Sequence, residues 1–158
     1  MSLCVCGIIH TNLQNINDIV SLSFVIERIA NNLSIGTTMG GNVSKYVYDN
    51  FWNNHDEYSF LFELTDSPLD NCAEELFVSE SYPNLHPFSE RMGRVQQLIK
   101  SILDINGVKK ITLIINYLYF DDSSTINEES ITVSEFYEKM RVIDDIYFSP
   151  TIRFEIIK

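Results

Sequence analysis

"SERMGRVQQLIKSILDINGVKKITLIINYLYF", Ser89 to Phe120, decides the fold. Ser89 has a hydroxyl that can accept a bond from a first-turn amide, so it reads as a helix cap. Met92, Val95, Leu98, Ile99, Ile102 and Leu103 then recur at three- and four-residue intervals and make one apolar stripe. Gly107 stands where a left-handed helix stop belongs. The following "KKITLIINYLYF" is nearly continuous in apolar character, which predicts a strand buried on both faces and central in its sheet. An amphipathic helix leading into such a strand is a helix layered on a sheet.

Upstream, "LCVCGIIH" (Leu3 to His10) is β-branched and apolar, a second buried strand. In "NINDIVSLSFVIERIANNL" a helical stripe runs through Ile19, Leu22, Val25, Ile26, Ile29 and Leu33, with Asn15 or Asn17 as cap. "SIGTTMGGNVSK" reads as a flexible connector or hairpin. Its glycines lack the spacing of a phosphate loop, and Lys45 is not followed by Ser or Thr. "KYVYDNFW" and "EYSFLFEL" flank the polar turn "NNHDE" and predict a hairpin. In the second, Tyr58, Phe60 and Phe62 alternate with Ser59, Leu61 and Glu63. "TDSPLDNCAEELFVSESYPNLHPF" is a long irregular stretch, of the length that often carries function.

Downstream, "FDDSSTINEES" predicts an acidic loop, and "TVSEFYEKMRVI" opens a helix with a Thr132-x-x-Glu135 capping box. "TIRFEIIK" alternates as a strand should, with Pro150 just before it. The expected fold is a single α+β domain over residues 1–158. It is a two-layer sandwich with a mixed or antiparallel sheet and about three helices mainly on one face.

At 158 residues one domain can bury about 70% of the surface of its unfolded chain. No run of 18 apolar residues predicts a membrane span, and "MSLCVCGIIHTN" has no basic segment to start a secretory signal. A cytoplasmic location is therefore expected. Three cysteines without a secretion signal predict reduced thiols. Cys4 and Cys6 lie on the same side of one strand, and no second Cys/His pair accompanies them at zinc spacing, so no metal or other cofactor is expected.

Charge is the outstanding global property. The chain has 22 acidic and 11 basic residues, a formal net charge of −11. Residues 46–90 hold ten acids and no Lys or Arg, and residues 111–150 hold eight acids and two bases. Solubility alone is the plain explanation. Such a surface repels phosphate backbones and disfavours direct nucleic-acid binding, while it would steer a basic protein.

Three chemistries compete. His10, His55 and His86 are the histidines available for acid/base work, but the "NNHDEY" cluster is a solvated turn by default. Asp121 and Asp122 follow a strand end, a place where α/β enzymes put catalytic or Mg²⁺-binding acids, so a small enzyme with a carboxylate or metal site near Asp121 is one alternative. "DDSSTINEES" lacks the spacing and the glycine of a calcium loop. A structural or adaptor domain is the other alternative. The third chemistry is binding: Asp121, Asp122, Glu128 and Glu129 supply charge, with Asp56 and Glu57 as a second group. Asp70, Glu74 and Glu75 lie in the long loop, and Tyr119 or Trp52 would be central anchors.

In size, α+β order and acidic patches such as "FDDSSTINEES" and "NNHDEYSFLFEL", the chain resembles the small acidic immunity proteins of bacterial contact-dependent inhibition and polymorphic toxin systems. The resemblance implies a cytoplasmic, non-enzymatic inhibitor without cofactor. It would cap the active site of a cognate basic toxin, often a nuclease, with carboxylates standing in for phosphates. It assigns no residue by position.

Overall fold

A computed structural model describes residues 3–40, 43, 58–69, 90–117, 127–141 and 152–158. In chain order the elements are β1 (Leu3–Thr11), α1 (Ile16–Asn32), β2 (Gly36–Met39), β3 (Ser59–Thr65), α2 (Glu90–Leu103), β4 (Val108–Tyr117), β5 (Asn127–Thr132), α3 (Val133–Arg141) and β6 (Ile152–Ile157). The strands form one sheet in the order β2-β3-β1-β4-β6-β5. β5 runs parallel to β6, and the other neighbours are antiparallel, so the sheet is mixed. The fold is α+β, as the element pattern predicts.

The alternation of the strands sorts their residues. Val5 and Ile9, Phe60, Phe62 and Leu64, Ile111, Leu113 and Ile115, and Ile152, Phe154 and Ile156 join one core. Leu22, Ile26 and Ala30 of α1, Val95 to Leu103 of α2, and Phe136 and Met140 of α3 cover them. The three described helices thus share one face. On the opposite face Cys6, Ile8, Leu61 and Ile114 form a smaller apolar cluster with Val43. β1 and β4 sit at the centre of the sheet, which explains why each sequence is apolar on both sides.

The helix ends follow local chemistry. Asn15 caps α1, its side chain accepting from the Asn17 amide at 2.8 Å. The helix closes with Ile35 N–H donating to Ala30 and Ser34 N–H to Asn31, a Schellman turn. Ser34 occupies the left-handed position, φ 57°, at a cost of about 1 kcal/mol that a glycine would avoid. Gly107 is left-handed as expected, φ 98°, but it stands four residues past the end of α2, in the turn from Ile105 to Val108 that leads into β4. The capping box on α3 is reciprocal: Thr132 N–H donates to Glu135 Oε2 at 2.7 Å, and Glu135 N–H donates to Thr132 Oγ1 at 3.3 Å. Those bonds hold the Glu135 carboxyl below its ordinary range. Thr132→Ala should therefore destabilise the protein by about 1 kcal/mol, read as a shift of the urea midpoint with unchanged slope.

Two strands differ from expectation. "GTTM" is a strand, pairing Gly36 to Met39 with Thr65 to Phe62, where a flexible connector or a local hairpin is expected. Its placement comes from tertiary pairing with β3, since four residues with one large apolar side chain have no legible period. "NEESIT" is likewise a strand, paired with β6, where a loop is expected. β3 alternates as foreseen, but its described neighbours are β2 and β1. "KYVYDNFW" and the "NNHDE" turn lie outside the described residues, as do Ser89 and Pro150.

Candidate functional site

The largest described polar grouping lies on the sheet face away from the helices. Register brings it together: His10 stands opposite Lys110, Ile8 opposite Thr112, and Thr112 opposite Glu155. The Thr112 hydroxyl donates to Glu155 Oε1 at 2.7 Å, and His10 Nε2 lies 2.8 Å from the same hydroxyl oxygen. With its own proton directed to Glu155, Thr112 accepts from His10, which places a proton on Nε2. Lys110 Nζ is 3.0 Å from Glu155 Oε2, and Arg153 Nη2 is 3.4 Å from Oε1. Lys110 thus acts on Oε2 both at hydrogen-bonding distance and as a nearby positive charge.

Partial burial pushes the Glu155 carboxyl upward, but the Thr112 hydroxyl and the Lys110 and Arg153 cations outweigh it and hold the group below its ordinary value of 4.5. A depressed carboxyl stabilises the fold fully above the unfolded value, and that contribution fades as pH falls through the folded value. Thr112→Val should therefore cost about 1–2 kcal/mol near neutral pH. The cost should shrink at an acid pH below the folded value, where Glu155 is protonated in both states. Denaturant midpoints of wild type and variant at the two pH values check this; an equal difference at both would contradict it.

Chemically this network is ill suited to attack on a substrate. A nucleophilic hydroxyl needs a base that takes its proton and a path to the substrate. Thr112 is fully buried, its proton points to a carboxylate already facing two cations, and His10 acts as donor. What the arrangement does is place a polar network of five side chains across β1, β4 and β6 and fix their register. It was not foreseen as a site. Its parts are 102 and 43 residues apart in sequence, and no local motif marks them.

Two of the predicted docking residues are described. Asp121, Asp122, Asp56, Glu57, Asp70, Glu74, Glu75, Trp52 and Tyr119 lie outside the described residues. Glu128 and Glu129 sit on β5, at one end of the described sheet, instead of in a loop. In register Glu128 stands beside Arg153 and Glu129 beside Phe154. Glu129 pairs with Lys139 of α3 at 2.9 Å, each side chain remaining about half exposed. Charge on an edge strand also discourages unwanted strand pairing, which is an ordinary use for these acids.

Among the described residues no three His, Cys, Asp or Glu side chains converge in a way that could hold a metal ion, and no helix is long and apolar enough to cross a membrane. Compared with known proteins, the chain matches no family model, no curated protein and no solved structure. Its function must be argued from its own surface. One described cavity, about 340 Å³ between α2 and the start of α3, is lined by Lys100 and Lys158 but also by Asp104. It selects no ligand charge. A further cavity, about 240 Å³, lies between α1 and β2 against Phe24, Glu27 and Met39.

Proposed function

We propose that the protein works by binding, without catalysis, and neutralises a basic protein partner. The fitting partner is a cationic toxin domain, a nuclease above all, whose active site the acidic surface caps. The protein is then an immunity protein acting in the cytoplasm of the cell it protects. The observation that carries this is the charge balance. With a net charge of −11, the chain also pairs some of its few cations with its own acids: Lys110 and Arg153 face Glu155, and Lys139 faces Glu129. Acids in excess of those pairs remain to meet a positive surface, and they favour fast, oriented encounter. Asp121, Asp122, Glu128, Asp56 and Glu57 supply the leading charge in this proposal, with Asp70, Glu74 and Glu75 supporting it and Tyr119 or Trp52 as anchors.

The experiment begins with the gene beside the one that encodes this chain. It should specify a secreted protein whose C-terminal domain arrests growth when expressed alone. Co-expression of this chain should restore growth and yield a stable complex. A neighbour without toxic activity, or growth arrest unrelieved by co-expression, would overturn the proposal.

A further inference from the structure

The outward face of α1 carries apolar side chains that the core does not use. Ile16, Val20 and Phe24 are 69%, 46% and 65% exposed, whereas Leu22, Ile26 and Ala30 of the same helix are buried. A four-residue step turns a helix by about 400°, so the three form a continuous stripe. Its centre lies roughly 120° around the helix from the buried stripe. Isolated exposed apolar residues are ordinary, but a row of them running up the flank of the helix is a contact patch.

Beside this stripe the cavity of about 240 Å³ between α1 and β2 is lined by Ser23, Phe24, Glu27, Thr37, Thr38 and Met39. Thr37 Oγ1 is buried and has no hydrogen-bond partner among the described residues. An aromatic ring, a thioether, a carboxylate and hydroxyl groups in one slot match an arginine or lysine side chain. The aliphatic stem lies along Phe24 and Met39, and the charged head meets Glu27. A second copy of the chain would bring another −11 to the same place, and an anionic lipid surface would be repelled.

We propose that α1 and this slot dock a basic amphipathic segment of the protein partner. Its apolar side lies on Ile16, Val20 and Phe24, and one arginine or lysine enters toward Glu27. This rests on the partner being basic, as proposed above, and it assigns to α1 an apolar anchor beside those proposed in the acidic loops.

The test uses the full chain, labelled with ¹⁵N, and a synthetic amphipathic helix of leucine and arginine as probe at low salt. Amide shifts should concentrate in residues 16–28 and 36–39. The double variant Phe24→Ser, Glu27→Gln, at exposed positions, should weaken binding about tenfold. Asp104→Asn, at the end of α2, should change it less than about twofold. Shifts elsewhere, or equal weakening by Asp104→Asn and the double variant, overturn the α1 assignment while leaving charge-driven binding intact. A leucine-free peptide of the same charge binding as tightly does the same. Failure of both peptides to bind overturns the basic-partner reading as well. A dimer of the free chain that Phe24→Ser abolishes would give the stripe to a second copy and refute this proposal.

Discussion

Gly7→Val should leave no folded protein. Gly7 lies in β1, one of the two central strands, opposite Phe62 of β3 and Leu113 of β4. A Cβ added there would stand 1.8 Å from the Thr112 carbonyl oxygen and 2.9 Å from its carbon. Both are backbone atoms of the neighbouring strand, so no side-chain rotation relieves the overlap. The two strands would have to separate, and they carry the core residues Val5, Ile9, Ile111, Leu113 and Ile115 between them. Gly7→Ala meets the same obstacle and should fail nearly as badly. Soluble yield and the dispersion of amide resonances measure this. A Gly7→Val protein that unfolds cooperatively near the wild-type midpoint would show that β1 and β4 do not approach as described.

Phe136→Ala should be the largest loss among substitutions that still permit folding. The ring is fully buried and packs edge-on against Phe154, centroids 5.5 Å apart and planes at 80°. With Met140, one turn later, it anchors the nine-residue helix α3 to β6. A helix that short has little stability of its own and depends on this apolar face. Truncating a buried phenylalanine costs about 3–5 kcal/mol, a large share of the 5–15 kcal/mol typical of a domain. Urea unfolding should show that loss, with Phe136→Leu recovering more than half of it. A loss below about 1 kcal/mol for the alanine variant would mean that α3 is not seated on β6.

How much of this was legible in the sequence follows from where the physical signal lies. Helix α2 and strand β4 announce themselves because an apolar stripe and a doubly buried strand each have their own period. The same holds for β1, α1 and β6, and the capping box at Thr132 and Glu135 is written in four consecutive residues. Strand β2 was not legible: its two threonines and single methionine gain their conformation from β3, which lies more than twenty residues further on. Strand β5 was hidden for a related reason. An edge strand with Glu128, Glu129 and Ser130 has the composition of a loop, and its partner β6 follows only after a helix. The network of His10, Lys110, Thr112, Arg153 and Glu155 was invisible because register alone assembles it. Charge was legible as a total, whereas its pairing was not: Glu129 counts as a free acid in sequence and faces Lys139 in the fold.

The central claim is that excess negative charge on this scaffold captures a basic macromolecule and performs no chemistry on it. The most direct test is the association rate with the isolated toxin domain, followed by stopped flow from about 50 to about 500 mM salt. The rate should fall at least about tenfold across that range, and the Asp121→Lys, Asp122→Lys double variant should lower the low-salt rate while sparing dissociation. A rate indifferent to both salt and charge reversal would contradict the claim.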